Sequence, residues 1–505
     1  MKKSCFFITL LAALLLASCS SVDDNLRAMI PDDAVGVLKI DLPSLIDKSL
    51  MRDGENVKIP DDLKKLIDEA DPNIFGDVIL NLPQSGVDFN NSCYLFFSPG
   101  IYKAVALLHV SDEDAATAMI SKIASGKMTE KSGIQFVSHL DYGYAIEDGV
   151  MFIGRFMNPV ADDVASNVAK SILDKSKPSL FEKEEVAKAI DVQDCDITAY
   201  IDAKGLMSIF KENSRFSTIF GNVPALEILT GSGIKAMTAT VNFVTDKKDG
   251  EYMSVKTDFV ADKNCLYSSL YDQIVASSTG GEGINTLDVL PGELDTYFAM
   301  KVNGSNFVQM PQTALLFDWL NSSSFTSGVN CKEIASSLNG AIVFGLQTED
   351  GDYNFGIAAQ STDPDMVVNE IINVANNRGQ SPEKNANGEY VYEYNYGEKA
   401  IAMSQNDGVV YLRCVNFVPS YSASTWPALI DALKKSSMVF YKKLMIGTNH
   451  EGNLCWGLHD KIHGEGIYYA ENGKENVVVS VLKFLCWKEP NSNIEEDMED
   501  DYYFY

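Results

Sequence analysis

Asp148-Gly149-Val150-Met151-Phe152-Ile153 and Asp407-Gly408-Val409-Val410-Tyr411-Leu412 decide the fold of this chain. Each is an Asp-Gly pair set between apolar stretches. A two-residue hairpin turn needs positive φ at both positions, and Asp-Gly supplies it at little steric cost. The two stretches also stand in matching surroundings. Ahead of the first come Ile30-Pro31-Asp32-Asp33, a strand-like run over 35–42, and a hairpin of 94–97 with 101–110 about Pro99-Gly100. Ahead of the second come Leu290-Pro291-Gly292-Glu293, a strand-like run over 297–302, and 342–344 with 353–360 about Asp350-Gly351. Acids then open a helix in each case, Asp112-Glu113-Asp114 and Asp363-Pro364-Asp365. Behind them Ala116, Ile120 and Ile123 match Val367, Ile371 and Val374 as one i, i+4, i+7 apolar stripe. Gly133-Ile134-Gln135-Phe136 likewise matches Gly388-Glu389-Tyr390-Val391.

Landmarks repeated in one order predict an internal duplication. Each copy is expected to close on a further hairpin, 238–244 with 253–260 and 467–470 with 477–485. The expected class is α+β: two tandem antiparallel sheet units, each with helices on one face. Helices are expected over 112–125, 160–175, 365–377 and 426–435. The expected organisation is a signal peptide over 1–18, an acidic tether over 19–29, and a first copy over 30–276. A Ser/Gly-rich linker over 277–288 leads to a second copy over 289–487. An acidic tail over 488–505, with six acids and no base between Asn491 and Asp501, is expected to be disordered.

The first residues carry processing information. Lys2 and Lys3 precede an apolar run over 6–16, too short to span a bilayer. Leu16-Ala17-Ser18-Cys19 then reads as a lipobox, which makes Cys19 the lipidation site and expected palmitate carrier. The acyl chains are the only membrane attachment expected. Ser20 lacks the aspartate that retains inner-membrane lipoproteins, so the expected location is the outer membrane, facing the cell surface or the periplasm. Lipobox, acidic tether, the Ile30-Pro31-Asp32-Asp33-Ala34 lead into a strand, and two α+β copies over about 500 residues resemble an uncharacterised Bacteroidetes lipoprotein family of unknown function. The resemblance implies a cell-envelope protein and brings no catalytic residue with it.

Charge narrows the partners. The 505 residues hold 41 Lys+Arg against 70 Asp+Glu, a net −29, which repels nucleic-acid phosphates. No partner is expected beyond the anchoring membrane and a protein or glycan. Neither a cofactor nor a metal is expected. G-x-S-x-G, H-E-x-x-H, the phosphate-binding loop and C-x-x-C are all absent from the sequence. The remaining cysteines read as buried thiols.

Five histidines remain to be placed. His109 and His139 sit at strand ends and read as structural. His450, His459 and His463 cluster around Cys455, but a strand would hold Cys455 and His459 about 13 Å apart, beyond shared coordination. A polar loop is favoured there. Tyr390, Tyr392, Tyr394 and Tyr396 alternate along one strand, and packing is favoured over ring stacking with a sugar. The favoured function is a non-catalytic binding or scaffold lipoprotein. The alternative is a cell-surface hydrolase using a carboxylate pair on polysaccharide or peptide. Features confined to one copy, above all 450–463, place any ligand contact in the second half.

Overall fold

The computed structural model describes residues 21–486, apart from 66–79, 204–232, 276–295, 416–431 and a number of shorter stretches. Among the described residues, twenty antiparallel strands form one continuous sheet. The first ten are β1 (Gly36–Ile40), β2 (Cys93–Phe97), β3 (Tyr102–His109), β4 (Thr129–Lys131), β5 (Ile134–His139), β6 (Tyr142–Glu147), β7 (Val150–Phe156), β8 (Ile197–Asp202), β9 (Ile234–Asp246) and β10 (Gly250–Ala261). The second ten are β11 (Thr296–Asn303), β12 (Leu338–Glu349), β13 (Asp352–Ser361), β14 (Glu383–Lys384), β15 (Tyr390–Tyr394), β16 (Lys399–Asn406), β17 (Val409–Cys414), β18 (Met438–Ile446), β19 (His450–Leu458) and β20 (His463–Ala470).

Across the sheet the first ten run β4-β5-β6-β7-β3-β2-β1-β8-β9-β10. The next strand after β10 is β20, and from there the second ten repeat the same order in reverse, ending on β14. Every strand of one half therefore has a counterpart ten numbers later. Both Asp-Gly pairs form the expected turns: φ is 49° at Asp148 and Asp407, 70° at Gly149 and 80° at Gly408. Val110 N–H donates to Gly149 O, and Ser361 N–H to Gly408 O, both at 2.8 Å. His109 faces Val150 across the sheet as Gln360 faces Val409.

The helices include α1 (Ser21–Ala28), α2 (Leu42–Lys48), α3 (Glu113–Ile123), α4 (Asp162–Leu173), α5 (Glu184–Ile190), α6 (Leu266–Leu270), α7 (Gly304–Gln309), α8 (Pro364–Asn377) and α9 (Val477–Cys486). Asp112 and Asp363 cap α3 and α8 in the same way, accepting the N–H of Ala115 and of Met366. Helices on one face were expected, but in the first half they cover both. Ala145 packs with Ala165, Ala169 and Ile172 of α4, while its neighbour Tyr144 packs with Ala116, Met119 and Ile120 of α3. Adjacent strand residues point to opposite faces, so both faces are buried. Val150, Met151 and Phe152 are each at most 1% exposed, an unbroken apolar run rather than an alternating one. In the second half Val410 packs on α8, and Val409 packs in the opposite core with Ala358 and Ile401.

Two further expectations are corrected. Residues 477–485 are not a strand: they lie in α9, whose first turn is capped by Asn476 Oδ1 accepting from Val478 and Val479. The run of valines reads as β from propensity, but the segment forms a helix buried on several sides, with Val477, Val478, Val479 and Ser480 all at most 4% exposed. The closing hairpin is β19 with β20 instead. Nor is 19–29 a tether throughout, because α1 occupies 21–28 and buries Leu26 completely. Leu26, Met29 and Ile30 all enter the first-half core. The expected linker, the tail, Cys19 and most of 426–435 lie outside the described residues.

The helix that closes each half packs against the other half. α6 and the π-helical turn Tyr271–Val275 place Leu266, Leu270 and Ile274 against Met300, Val302, Phe307 and Leu338. α9 places Val477 and Val478 against Phe243 and Met253, and Val479 against Ile46, Met51 and Leu63. Hydrogen bonds follow the same exchange. Asn306 donates to Gln273 O at 2.9 Å, and Asn476 to Lys48 O at 2.7 Å.

Candidate functional site

The halves meet where β10 pairs with β20, from Met253 opposite Tyr468 to Asp258 opposite His463. Trp456 on β19 lies across this junction. Its indole N–H donates to Thr257 Oγ1 at 3.1 Å, and the ring is half-buried. The ring needs the glycines beneath it. A Cβ at Gly464 would meet Trp456 Cζ2 at 2.5 Å and Thr257 Oγ1 at 2.6 Å, and one at Gly466 would meet Trp456 Cδ1 at 3.1 Å.

Beside the indole, residues 459–463 turn the chain from β19 into β20. Asp460 shapes the turn by accepting the N–H groups of Ile462 and His463 at 2.7 and 2.8 Å. The same carboxylate accepts from His463 Nδ1 at 2.7 Å, and that hydrogen bond raises the imidazole pKa. Asp258 lies 3.9 Å from the other ring nitrogen. His459 instead meets Ser436 Oγ at 3.3 Å and Glu465 Oε2 at 3.5 Å. Lys461 pairs with Asp272 at 3.1 Å.

His459 and His463 are thus brought to one turn but partnered separately, while His450 starts β19 at its far end. Among the described residues no group of three or more His, Cys, Asp or Glu is placed to hold a metal ion. Cys455 faces the core with Tyr441 and Val439, and burial pushes its thiol up to about 12. Nothing is described of the His450 side chain.

His459 also has a first-half counterpart. Tyr200 opposite Thr238 and Tyr441 opposite Cys455 set equivalent registers, which align Asn242 with His459 and Cys195 with Ser436. Asn242 Nδ2 reaches Cys195 Sγ at 3.9 Å, so both halves use this position for one bridging contact. Trp456 aligns with Ala239, and its indole has no such counterpart.

The tyrosine strand is mainly packing. Tyr390 joins the α8 core, with the Lys384 ammonium 4.9 Å from its ring centre. Tyr392 lines a groove of about 630 Å³ with Gln380, Lys384, Asn385 and Val415. The Tyr394 side chain and Tyr396 lie outside the described residues.

Sequence reasoning missed a polar cleft of about 280 Å³ beside α1, walled by Asp24, Arg27, Lys39, Asp191, Gln193 and Cys195. Arg27 donates to Tyr94 OH at 2.8 Å and Asp191 Oδ1 at 2.5 Å, and lies over the Phe181 ring. The i, i+4 spacing of Val22 and Leu26 was the available signal for α1.

Among the described residues, the carboxylates whose pKa is shifted are shifted down. Asp162 and Glu184 are held below the usual range by hydrogen bonds from Lys131 and Lys188. In Glu389 and Asp460 burial pulls upward, but hydrogen bonds from Asn385 and Arg413, and from His463, prevail.

A model of a domain of unknown function, DUF4836, matches residues 26–387, and the chain belongs to that family. No curated protein matches it. Among solved structures, crystal form III of TP0453 aligns at 12% identity over 49% of this chain and 86% of that one, with a TM-score of 0.28. Crystal form I of TP0453 aligns at 11% identity over 46% and 77%, with a TM-score of 0.27.

Proposed function

We propose that this DUF4836 protein is a lipid-anchored cell-envelope protein of the outer membrane, acylated on Cys19, with a non-catalytic binding or scaffold role. The observation that carries it is the lipobox Leu16-Ala17-Ser18-Cys19 standing directly ahead of α1, whose Leu26 is packed into the core, which supports a folded body attached close behind Cys19. Among the described residues no helix is long and apolar enough to cross a membrane. Replacing Cys19 by Ala should move the protein from the membrane fraction to the soluble one. Membrane association of that variant in high salt would overturn the anchor.

The binding surface in this proposal is the junction of the halves. A partly exposed indole lying over Gly464 and Gly466 beside Thr257 suits a glycan or peptide, through ring stacking. The repeated strand order supports an origin by duplication, and Trp456, absent from the equivalent first-half position, supports a function acquired on one side. Thermal-shift screening against glycan and peptide panels, repeated with Trp456→Ala, tests it. A ligand that stabilises both proteins equally would move the site elsewhere.

A further inference from the structure

We infer that the body of this protein is held flush against the bilayer that anchors it, so that the surface around α1 is a membrane-contact surface. The inference rests on the proposed acylation of Cys19 and adds a geometry to it. Eleven flexible residues over 19–29 would reach about 35 Å and let the body turn freely. The structure removes most of that length.

α1 is fixed to the body on several sides. Leu26 is fully buried among Tyr94, Phe96 and Ile172. Arg27 is tied to Tyr94 and Asp191, and its carbonyl accepts from Ser179 Oγ at 2.7 Å. Lys175 Nζ donates to Asn25 Oδ1 at 2.5 Å. These partners come from four separate parts of the chain, so α1 cannot swing out without breaking core contacts. Between Cys19 and Ser21, the first described residue of α1, there are two peptide links, about 7 Å at full extension. The headgroup layer is itself about 5 to 7 Å deep on each side. The end of the body that carries Asp24 and Asn25 therefore meets the headgroups.

That end includes the tip of the loop after α5, where Asp191 is bound to Arg27 and Val192 is 44% exposed. The polar cleft of Arg27, Lys39, Asp191 and Cys195 lies beside it.

The test uses the full acylated protein on a supported bilayer of phosphatidylethanolamine and phosphatidylglycerol, with neutron reflectometry measuring the water layer between bilayer and body. A second protein carries twenty Gly/Ser residues inserted between Ser20 and Ser21, which by random-coil scaling adds about 25 Å. Mass spectrometry reads the acylation of Cys19 in both. A water layer below about 10 Å in the native protein, opening by about 25 Å in the insertion variant, is the expected result. Equal, wide water layers in two acylated proteins would overturn flush contact while leaving the anchor in place. Absence of acyl mass, with no retention on the bilayer, would overturn both.

Discussion

Trp456 of the second half donates its indole N–H to Thr257 of the first, 3.1 Å away, across the strand pair that joins the halves. Thr257 is 7% exposed, so its hydroxyl depends on that partner. The bond is confined to one side of a junction whose strand order is otherwise two-sided, and it is the first place to perturb.

Gly464→Ala should destabilise the protein by about 1 to 3 kcal/mol, because the added methyl overlaps both Trp456 and Thr257. In a Trp456→Ala background the same change should cost clearly less, since the nearest obstacle has gone. Chemical denaturation of the four proteins gives the coupling. Additive effects would mean that Trp456 does not lie where described.

Asp196 is the second node. It is 2% exposed and accepts from Lys48 Nζ at 2.6 Å, Ser44 Oγ at 2.5 Å and Phe243 N–H at 2.6 Å. It thereby ties α2 and β9 to the start of β8. Asp196→Ala leaves a buried backbone N–H and a lysine without their acceptor, and should cost about 3 kcal/mol. Asp196→Asn keeps the shape and should cost less. Equal losses would show that volume, not the donor set, matters there.

His463 provides a pH signature. Its imidazole pKa is raised by the Asp460 hydrogen bond, with Asp258 adding to the effect. A group raised on folding stabilises the fold below its unfolded pKa, and that stabilisation is lost as pH rises through the folded value. His463→Gln should therefore melt below the native protein at pH 5.5 and together with it at pH 9. The side chain is 61% exposed, so the difference should stay under about 1 kcal/mol. A gap that widens toward pH 9 would reverse the sign and refute the pairing.

The sequence made the hairpins legible because their signals are local. Asp148-Gly149 and Asp407-Gly408 need no tertiary context to form a turn, and Asp112 and Asp363 announce the helices they cap. Long-range choices were hidden. Whether Val477–Cys486 pairs as a strand or coils as a helix depends on a first-half surface of Phe243, Ile46 and Leu63, hundreds of residues away. The burial of Leu26 was readable from its spacing but masked by the acids around it. The site was the least legible part. His459 and His463 stood out by residue type, yet Ser436, Asp460 and Asp258 decide what each of them does, while Trp456 acts through Thr257 on the other half.

The exchange of closing helices leads to the last prediction. Val477, Val478 and Val479 are 2 to 4% exposed, and they pack on first-half residues Phe243, Met253, Ile46, Met51 and Leu63 as well as on Tyr468 of their own half. Burying three valines contributes about 5 kcal/mol. That is comparable with the whole net stability of a typical domain. The first half in turn lends Leu266, Leu270 and Ile274 to the second. Neither 26–275 nor 296–486 should then fold by itself, although each contains ten strands in the same order. Expressed singly, each fragment should lack a cooperative thermal transition by circular dichroism. Expressed together as two chains, they should copurify one to one and melt in a single transition. A fragment that melts alone near the midpoint of the full chain would show that the exchanged helices decorate two independent units. Loss of association on Val478→Asp, in fragments that otherwise pair, would place the joining energy in α9 rather than in the β10–β20 hydrogen bonds.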